Sequence, residues 1–173
     1  MKYLLSNFKI SINQNLFIKE PSSSELGKKI LSNAIEMIKE IGFENFTFRK
    51  LGQQIDSPEA SIYRYFENKH KLLVYLSSWY WAWMEYRLVF STANIENKLE
   101  KLKKAICIVT ETIQDDNSTA HVNEAILNKI IIEEFTKILY NKHVDEENKE
   151  GFFLIYKQVN YRIEKMVEEV NPD

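Results

Sequence analysis

Residues 46–73 of the chain read FTFRKLGQQIDSPEASIYRYFENKHKLL, and this stretch decides the fold. The pattern predicts two short helices followed by the start of a long one. Thr47 is suited to cap the first helix, because a threonine oxygen can accept a hydrogen bond from a free N–H of the first turn. Leu51 and Ile55 lie four positions apart and therefore share one face of that helix.

A turn and a second short helix follow. Asp56 and Ser57 are predicted to interrupt the first helix, and Ser57-Pro58-Glu59 signals a new start, with serine as cap, proline at the first helical position and an acid in the first turn. Ile62 and Phe66 mark the buried face. This helix is barely two turns long, so it must be held by packing against its neighbours.

Two such helices joined by a tight turn predict a helix-turn-helix that inserts its second helix into the major groove of DNA. Asn68 is a suitable cap for the long third element that begins at Lys69. Upstream, a helix is predicted over about residues 23–41, with Ser22-Ser23-Ser24-Glu25 as a capping box and Gly42 as a left-handed stop. The three-helix unit then ends near Phe66.

The same stretch resembles the DNA-binding domain of TetR-family transcriptional regulators. Thr47-Phe48-Arg49-Lys50-Leu51 matches the start of the family's second helix, Ser61 to Phe66 matches the end of its recognition helix, and Asn68-Lys69 matches the opening of its fourth helix. The match runs without a gap. It departs at Asp56, where the family has a small glycine-like turn residue, and at Ser57, where an aliphatic residue is usual.

The resemblance implies which residues contact DNA. The groove-facing side is expected to carry Pro58, Glu59, Ser61 and Tyr63, with Tyr63 against a thymine methyl group and a phosphate. The residues expected to position the DNA backbone are Arg49, Arg64, Tyr65 and Lys69. Thr47 is expected to add a phosphate contact, and Ser57 is also included among the DNA-binding residues. Core packing for Tyr65 and a solvated charge for Arg64 stay open as alternatives. Replacing Tyr63 or Lys69 by alanine is expected to weaken operator binding without unfolding the protein.

The rest of the chain is also predicted to be helical. A long helix from Asn68 to Ser91 is apolar nearly all round and should be largely buried. Further elements are expected as helices over about 96–115 and 120–141, the latter bent near Asn128, a charged connector over 143–150, and a helix with a heptad-like stripe over 152–170. The prediction is an all-α protein with an arm at 1–22, a DNA-binding domain at 23–67 and a helical ligand-binding and dimerisation domain at 68–173.

The stripe at 152–170 either closes the core of the monomer or faces an identical helix across a two-fold axis. We favour partial use in a homodimer, because two recognition helices about 34–36 Å apart would read a palindromic operator. The resemblance further implies that the long helix transmits binding of a small molecule to the DNA-reading heads. Candidate residues for a small, largely apolar effector are Trp83, Tyr86, Phe90, Cys107 and Phe135. The simpler interpretation is that the aromatic residues of the long helix form part of the hydrophobic core. Typical family members have one further terminal helix.

Composition limits the alternatives. The chain has 173 residues, 45% of them hydrophobic, and only four glycines, which favours helices over a β-sandwich. Its single cysteine, Cys107, excludes an internal disulfide, is expected to be a small buried hydrophobe and fits a reducing cytoplasm. Without a secretory pattern or an apolar span of about 18–20 residues, the protein is predicted to be soluble and cytoplasmic.

Charge is unevenly distributed along the sequence. The formal net charge is −2. Residues 1–94 carry 12 basic against 9 acidic side chains, a balance of +3, whereas residues 95–173 carry 11 against 16, a balance of −5. The basic half contains the predicted motif, which suits a focused DNA-binding patch whose non-specific affinity is weak and falls with salt.

Enzymatic signatures are absent from the sequence. It contains no glycine-rich phosphate loop, no recognisable catalytic triad and no Cys/His set with zinc spacing. Asp115, Asp116, His121 and Glu124 come nearest to a metal cluster, but they flank a helix start, where acidic residues are expected anyway. We therefore predict no enzyme activity, no cofactor and no metal.

Two alternatives stay open at this stage. The N-terminal 20 residues are expected to form an extended segment or hairpin docked on the domain, or an arm that brings Lys2, Lys9 or Lys19 to DNA. The favoured function is a dimeric repressor released by a small effector. The rival is an interaction module of the same fold that responds to a protein partner or to no ligand. A pocket lined by the candidate effector residues would favour the former.

Overall fold

The computed structural model describes residues 10–114 and 121–172, and within these ranges it contains helices and no strand. Two 3-10 turns, Gln14–Leu16 and Pro21–Ser23, precede eight α-helices: α1 Glu25–Asn45, α2 Phe48–Gln54, α3 Glu59–Tyr63, α4 Lys69–Thr92, α5 Lys98–Thr110, α6 Glu124–Leu139, α7 Val144–Lys149 and α8 Leu154–Val170. The predicted all-α fold is confirmed.

Short polar side chains set the helix starts, mostly as predicted. Thr47 accepts the N–H of Lys50 at 3.2 Å, and Asn68 accepts the N–H of Lys71 at 2.9 Å, which confirms both caps. The predicted start of α3 was wrong by one residue, since Pro58 itself is the cap and α3 runs from Glu59 to Tyr63. Helix α3 is therefore even shorter than the sequence indicates.

The first helix also differs in detail from its prediction. Ser24 alone caps α1, by accepting the N–H of Gly27, so the predicted capping box is not formed. Gly42 has φ 75° and ψ 157°, which are not helical values, so the helix is interrupted at this residue as the sequence predicted. A short helical turn follows the kink and ends at Asn45.

Helix α4 is the central element of the fold. It packs against α5, α6 and α8, and its residues from Leu72 to Tyr80 are all buried. Beyond Tyr80 burial is interrupted, and Phe90 is 57% exposed. The prediction of a largely buried helix therefore holds for the first half of α4 and fails for its outer end.

Two features of the C-terminal half correct the sequence prediction. The expected charged connector contains a helix, α7, because Asp145, Glu146 and Glu147 lie in its first turn, where the free N–H groups favour acids. Helix α6 has no break near Asn128, whose amide donates to the hydroxyl of Tyr80 at 2.7 Å and leaves the helical backbone undisturbed.

The segment before α1 docks on the domain but forms no hairpin within the described residues. Ile12 and Leu16 are buried, and the N–H of Ile18 donates to the carbonyl of Tyr65 at 2.8 Å. From residue 13 onward the backbone forms 3-10 turns capped by Asn13 and Glu20 instead of a second strand. The predicted arm residues Lys2 and Lys9, and Phe8 of the predicted extended segment, lie outside the described residues.

Polar contacts fix the kinked end of α1 on α6. The N–H of Phe43 donates to the carboxylate of Glu134 at 3.3 Å, and Lys137 lies 2.7 Å from Glu134 and 3.1 Å from Glu44. The hydrogen bond to Glu134 raises the pKa of Lys137 and keeps that side chain charged. Among the described helices, none has the combination of length and hydropathy that a membrane-spanning segment requires.

Candidate nucleic-acid interface

Helices α2 and α3 approach each other closely because residue 52 has no side chain. A Cβ atom on Gly52 would lie 2.7 Å from the carbonyl oxygen of Ser57 and 3.3 Å from the nitrogen of Glu59. The N–H of Ser57 also donates to the carbonyl of Gly52 at 2.9 Å. The turn therefore folds back over α2 and sets the angle at which α3 leaves it.

The turn itself contains a left-handed residue. Asp56 has φ 51°, and within the described ranges it is the only non-glycine residue with a positive φ. Aspartate tolerates this conformation better than most side chains, because its short polar group bonds locally. Asp56 thus takes over the conformation for which a glycine is favoured, and the predicted interruption of α2 lies at this position.

A pair of substitutions at residue 56 tests this conformation. We expect Asp56→Gly to stabilise the fold by up to about 1 kcal/mol and Asp56→Val to destabilise it by about 1–2 kcal/mol, because a β-branched side chain is disfavoured at positive φ. Urea unfolding of both variants measures the difference. Both remove the same charge, so equal stabilities would contradict a left-handed turn.

Helix α3 is braced from below and at both ends. Ile62 and Phe66 are fully buried. Tyr65, just beyond the helix, is only 3% exposed, and its hydroxyl lies 2.8 Å from the hydroxyl of Ser24, the cap of α1. Since five residues cannot form a stable helix alone, these contacts hold α3 in place.

The outward side of α3 carries small and aromatic residues. Tyr63 is 47% exposed, and its ring packs edge-on against Phe48 of α2 with centroids 5.0 Å apart. Ala60 and Arg64 are exposed and lie four residues apart, on the side opposite Ile62. The structure thus presents one oriented tyrosine ring beside an arginine on an open helix face.

Lysines near the motif largely cap helix ends. Lys69 donates to the carbonyls of Phe43, Glu44 and Phe46 at 3.0–3.1 Å, and its ammonium also lies 4.7 Å from the ring centroid of Phe43. Lys50 donates likewise to the carbonyl of Asn45 at 2.8 Å. These ammonium groups neutralise the C-terminal end of α1.

The arginines are placed differently. Arg49 and Arg64 are both exposed, and no described residue supplies a hydrogen bond or ion pair to either guanidinium group. Arg49 borders an open cleft of about 390 Å³ that also contains Gly52 and the turn from Asp56 to Glu59. Arg64 directly follows Tyr63 in the chain, and both arginines are without a polar partner among the described residues.

The predicted DNA-contact residues therefore divide into three groups. The exposed group consists of Thr47, Arg49, Pro58, Tyr63 and Arg64. The half-buried group consists of Ser57, Glu59, Ser61 and Lys69, and Tyr65 alone is buried. Exposure leaves the first group available to DNA, and their contacts stay predictions. Tyr65 follows the alternative left open for it, core packing, because its hydroxyl and carbonyl are engaged within the protein. Lys69 differs from its expected role because its ammonium caps α1.

Two residues of the motif were missed in the sequence. Gly52 was not singled out, although a glycine inside a predicted helix is unfavourable unless close packing requires it. Ala60 was missed as well, although counting 200° of helical rotation back from Ile62 places it on the outer side.

The residues proposed to line an effector pocket have different surroundings. The ring of Phe135 packs on Trp81 and Tyr156, at centroid distances of 6.1 and 5.1 Å. Tyr86 pairs with Phe90, which is mostly exposed. Cys107 is exposed, so the prediction that it is buried was wrong. The buried side of α5 is formed by Ala105 and Ile108 instead.

The structure describes only two of the four residues that came nearest to a metal cluster in the sequence, His121 and Glu124. Asp115 and Asp116 lie outside the described residues. Within the described ranges, no group of three or more His, Cys, Asp or Glu side chains is arranged to hold a metal ion. His121 is partly buried, and burial lowers its pKa, with the nearby Lys28 acting in the same direction.

The geometry defines a class of protein: a short helix, a left-handed turn and a braced second helix with an open outer face form a helix-turn-helix DNA-binding domain. A family model described as "Bacterial regulatory proteins, tetR family" matches residues 30–76, which span most of α1, all of α2 and α3 and the start of α4. Residues 30–76 are therefore similar to the N-terminal domain of the TetR family, and this match supports a DNA-binding transcriptional regulator.

The match covers the DNA-binding domain and the beginning of the long helix. No curated protein and no solved structure matched the chain in the other two comparisons. The functional assignment of the remaining helices therefore depends on their own residues.

Proposed function

We propose that this regulator is a homodimeric cytoplasmic repressor that binds a palindromic operator and is released by a small, largely apolar molecule. In this proposal residues 23–67 read DNA, and residues 68–173 form the regulatory and dimerisation domain. The observation that carries the DNA-binding half is the exposed face of α3, where Tyr63 is oriented by Phe48 and followed by Arg64, whose guanidinium has no polar partner among the described residues.

The chemistry of this face suits a mixed mode of recognition. A tyrosine ring can contact a thymine methyl group in the major groove, and its hydroxyl can donate to a phosphate. Arg49 and Arg64 supply the charge that attracts and positions the DNA backbone. In this proposal Glu59 and Ser61, which share α3 with Tyr63, read neighbouring base edges.

The surface of α8 supports dimerisation, but not through the whole predicted stripe. Val159 and Met166 of that stripe are buried in the monomer, where α8 packs on α4 and α5. On other faces of α8, the apolar side chains of Leu154, Tyr161 and Val167 are 58%, 59% and 45% exposed. We therefore place the dimer contact on these outer residues, while Val159 and Met166 close the core.

The effector half of the proposal is supported by the aromatic content of α4. Trp83 and Tyr86 are half-buried, and the guanidinium carbon of Arg87 lies 4.7 Å from the ring centroid of Trp83. The indole N–H of Trp81 is buried without an acceptor among the described residues. The rival function, an interaction module that answers to a protein partner or to no ligand, is favoured instead by the exposure of Phe90 and Cys107.

The DNA-binding proposal is tested at Tyr63. Once an operator has been selected from a random duplex pool, we expect Tyr63→Ala to weaken its binding at least about tenfold, because both the methyl and the phosphate contact are lost. Tyr63→Phe keeps the ring and should lose only the phosphate contact, so its affinity is expected to lie between those of wild type and Tyr63→Ala. Fluorescence anisotropy at fixed salt measures all three.

Ile132→Ala is the matched control, since Ile132 of α6 is a 71% exposed apolar side chain outside the motif. We expect it to bind like wild type. If Tyr63→Ala binds the operator as tightly as the control, α3 is not the recognition helix. If no duplex is enriched at low salt, the DNA-binding role itself is refuted.

A further inference from the structure

We propose that a cleft between the N-terminal segment, α4 and the start of α8 binds an uncharged, amphipathic small molecule, and that the N-terminal segment transmits its binding to α3. The cleft has a volume of about 370 Å³, near the lower end of the range for small-molecule sites. The binding claim is independent of the proposed function, whereas the regulatory claim rests on it.

The walls of the cleft exclude a charged ligand. No residue lining it ionises near neutral pH, although 28% of the chain is charged. Moving a carboxylate or an ammonium group from water into this site would cost its hydration without an opposite charge in return. The chemistry of the walls therefore selects an uncharged molecule.

The cleft has an apolar floor and polar sides. Ile12 and Phe152 form buried apolar surface. The hydroxyl of Ser78 donates to the carbonyl of Phe152 at 3.3 Å, which leaves its oxygen able to accept a hydrogen bond. The amides of Gln14 and Gln158 border the cleft, and no described residue bonds to either amide. A ligand with an apolar body and a neutral hydroxyl or amide group matches these walls.

One end of the N-terminal segment is fixed at the edge of this cleft. The side-chain amide of Asn13 donates to the carbonyl of Glu150 at 2.8 Å, between α7 and α8. The next residue, Gly151, has φ 83°, and a Cβ atom there would lie 3.5 Å from the Asn13 amide nitrogen. The cleft and the turn before α8 are thus joined through one side chain of the segment.

The other end of the segment is fixed beside the recognition helix. The N–H of Ile18 donates to the carbonyl of Tyr65 at 2.8 Å, immediately after α3. Between the two anchors, Leu16 is buried and Phe17 packs edge-on against Tyr75 of α4, with centroids 5.9 Å apart. Ile18 lies five positions after Asn13, so the chain between them spans at most about 18 Å. A ligand that shifts Asn13 therefore acts on the end of α3 through a short, packed connection.

Binding is tested on the full chain with benzyl alcohol, a neutral probe with one hydroxyl and an apolar ring. We expect low-millimolar binding, as is usual for a molecule of this size, seen as shifts of the Asn13 and Gln158 side-chain amide signals in NMR spectra. Benzoate and benzylamine, which have the same ring but carry a charge, should bind at least about tenfold more weakly.

A matched pair of variants localises the probe. Gln14→Trp places a large ring in the cleft and should weaken benzyl alcohol binding at least about tenfold, whereas Asn15→Trp, on the neighbouring exposed residue outside the cleft, should leave it within about twofold. Absence of shifts at Asn13 and Gln158, equal binding of the charged analogues, or equal effects of the two tryptophans would each overturn the site.

The regulatory claim is tested through the bond between Ile18 and Tyr65. Saturating benzyl alcohol should change operator affinity at least about fivefold in the wild-type protein. Ile18→Pro removes the donating N–H while its side chain is mostly exposed, and should reduce this change to less than about twofold. An unchanged response in this variant would refute transmission through the segment.

The outcomes separate the two proposals. If the protein binds benzyl alcohol at the cleft but selects no DNA, the proposed function fails and the site stands. If an operator is selected but benzyl alcohol leaves the affinity for it unchanged, only the regulatory inference fails.

Discussion

Gly52→Ala is expected to weaken operator binding at least about tenfold and to lower the free energy of unfolding by about 1–2 kcal/mol. Alanine would by itself favour helix α2 by up to about 1 kcal/mol. Its methyl group, however, would meet the carbonyl oxygen of Ser57 at 2.7 Å, and this atom belongs to the backbone of the turn. The turn and α3 must therefore move, and the cost of this movement exceeds the gain in helix propensity.

Anisotropy titration and urea unfolding measure the two effects. Gln53→Ala is the control, since Gln53 is the next residue of α2 and is exposed, and its stability should stay within about 0.5 kcal/mol of wild type. A Gly52→Ala protein that is more stable than wild type and binds DNA equally well would show that the close approach of turn and helix is not required.

Lys69→Met is expected to lower the free energy of unfolding by about 2–3 kcal/mol. Its ammonium group donates to three carbonyls at the end of α1 and lies over the ring of Phe43. Methionine keeps most of the aliphatic chain but leaves these carbonyls without a charged donor. Operator binding should fall as well, because the end of α1 precedes α2 directly.

The salt dependence of binding distinguishes this role from a phosphate contact. If Lys69 neutralised a phosphate, the slope of log affinity against log salt would fall by about one unit in Lys69→Met; as a helix cap, it should leave the slope unchanged. Lys104→Met, at an exposed position of α5, is the control and should change stability by less than about 0.5 kcal/mol. A stable Lys69→Met protein with a reduced slope would contradict the capping role.

Lys69 shows where sequence reasoning reached its limit. The motif predicted Lys69 as a DNA contact because it stands at the matching position of a family pattern. The structure uses its charge on α1, whose kinked end at Gly42 brings three carbonyls within reach. Sequence spacing along one helix contains no information about a carbonyl that lies 23 or more residues away.

Tyr65 and Cys107 illustrate the same limit, since Tyr65 is buried and Cys107 is exposed. The resemblance implied a DNA-backbone contact for Tyr65 and left core packing open, and contacts with the hydroxyl of Ser24 and the N–H of Ile18 decide for core packing. Cys107 was expected inside because cysteine is usually buried, but α5 turns this residue outward. In both cases the neighbouring element, and not the residue type, sets the exposure.

The sequence by itself determined the helical class, the helix-turn-helix and its caps at Thr47 and Asn68, because these follow from spacing and hydrogen bonding within a few residues. Only the tertiary structure decided which cations stay free for DNA, how closely the turn approaches Gly52, and that the N-terminal segment links the start of α8 to the end of α3. Those features depend on contacts between residues far apart in the chain, and their geometry is fixed only when the helices pack.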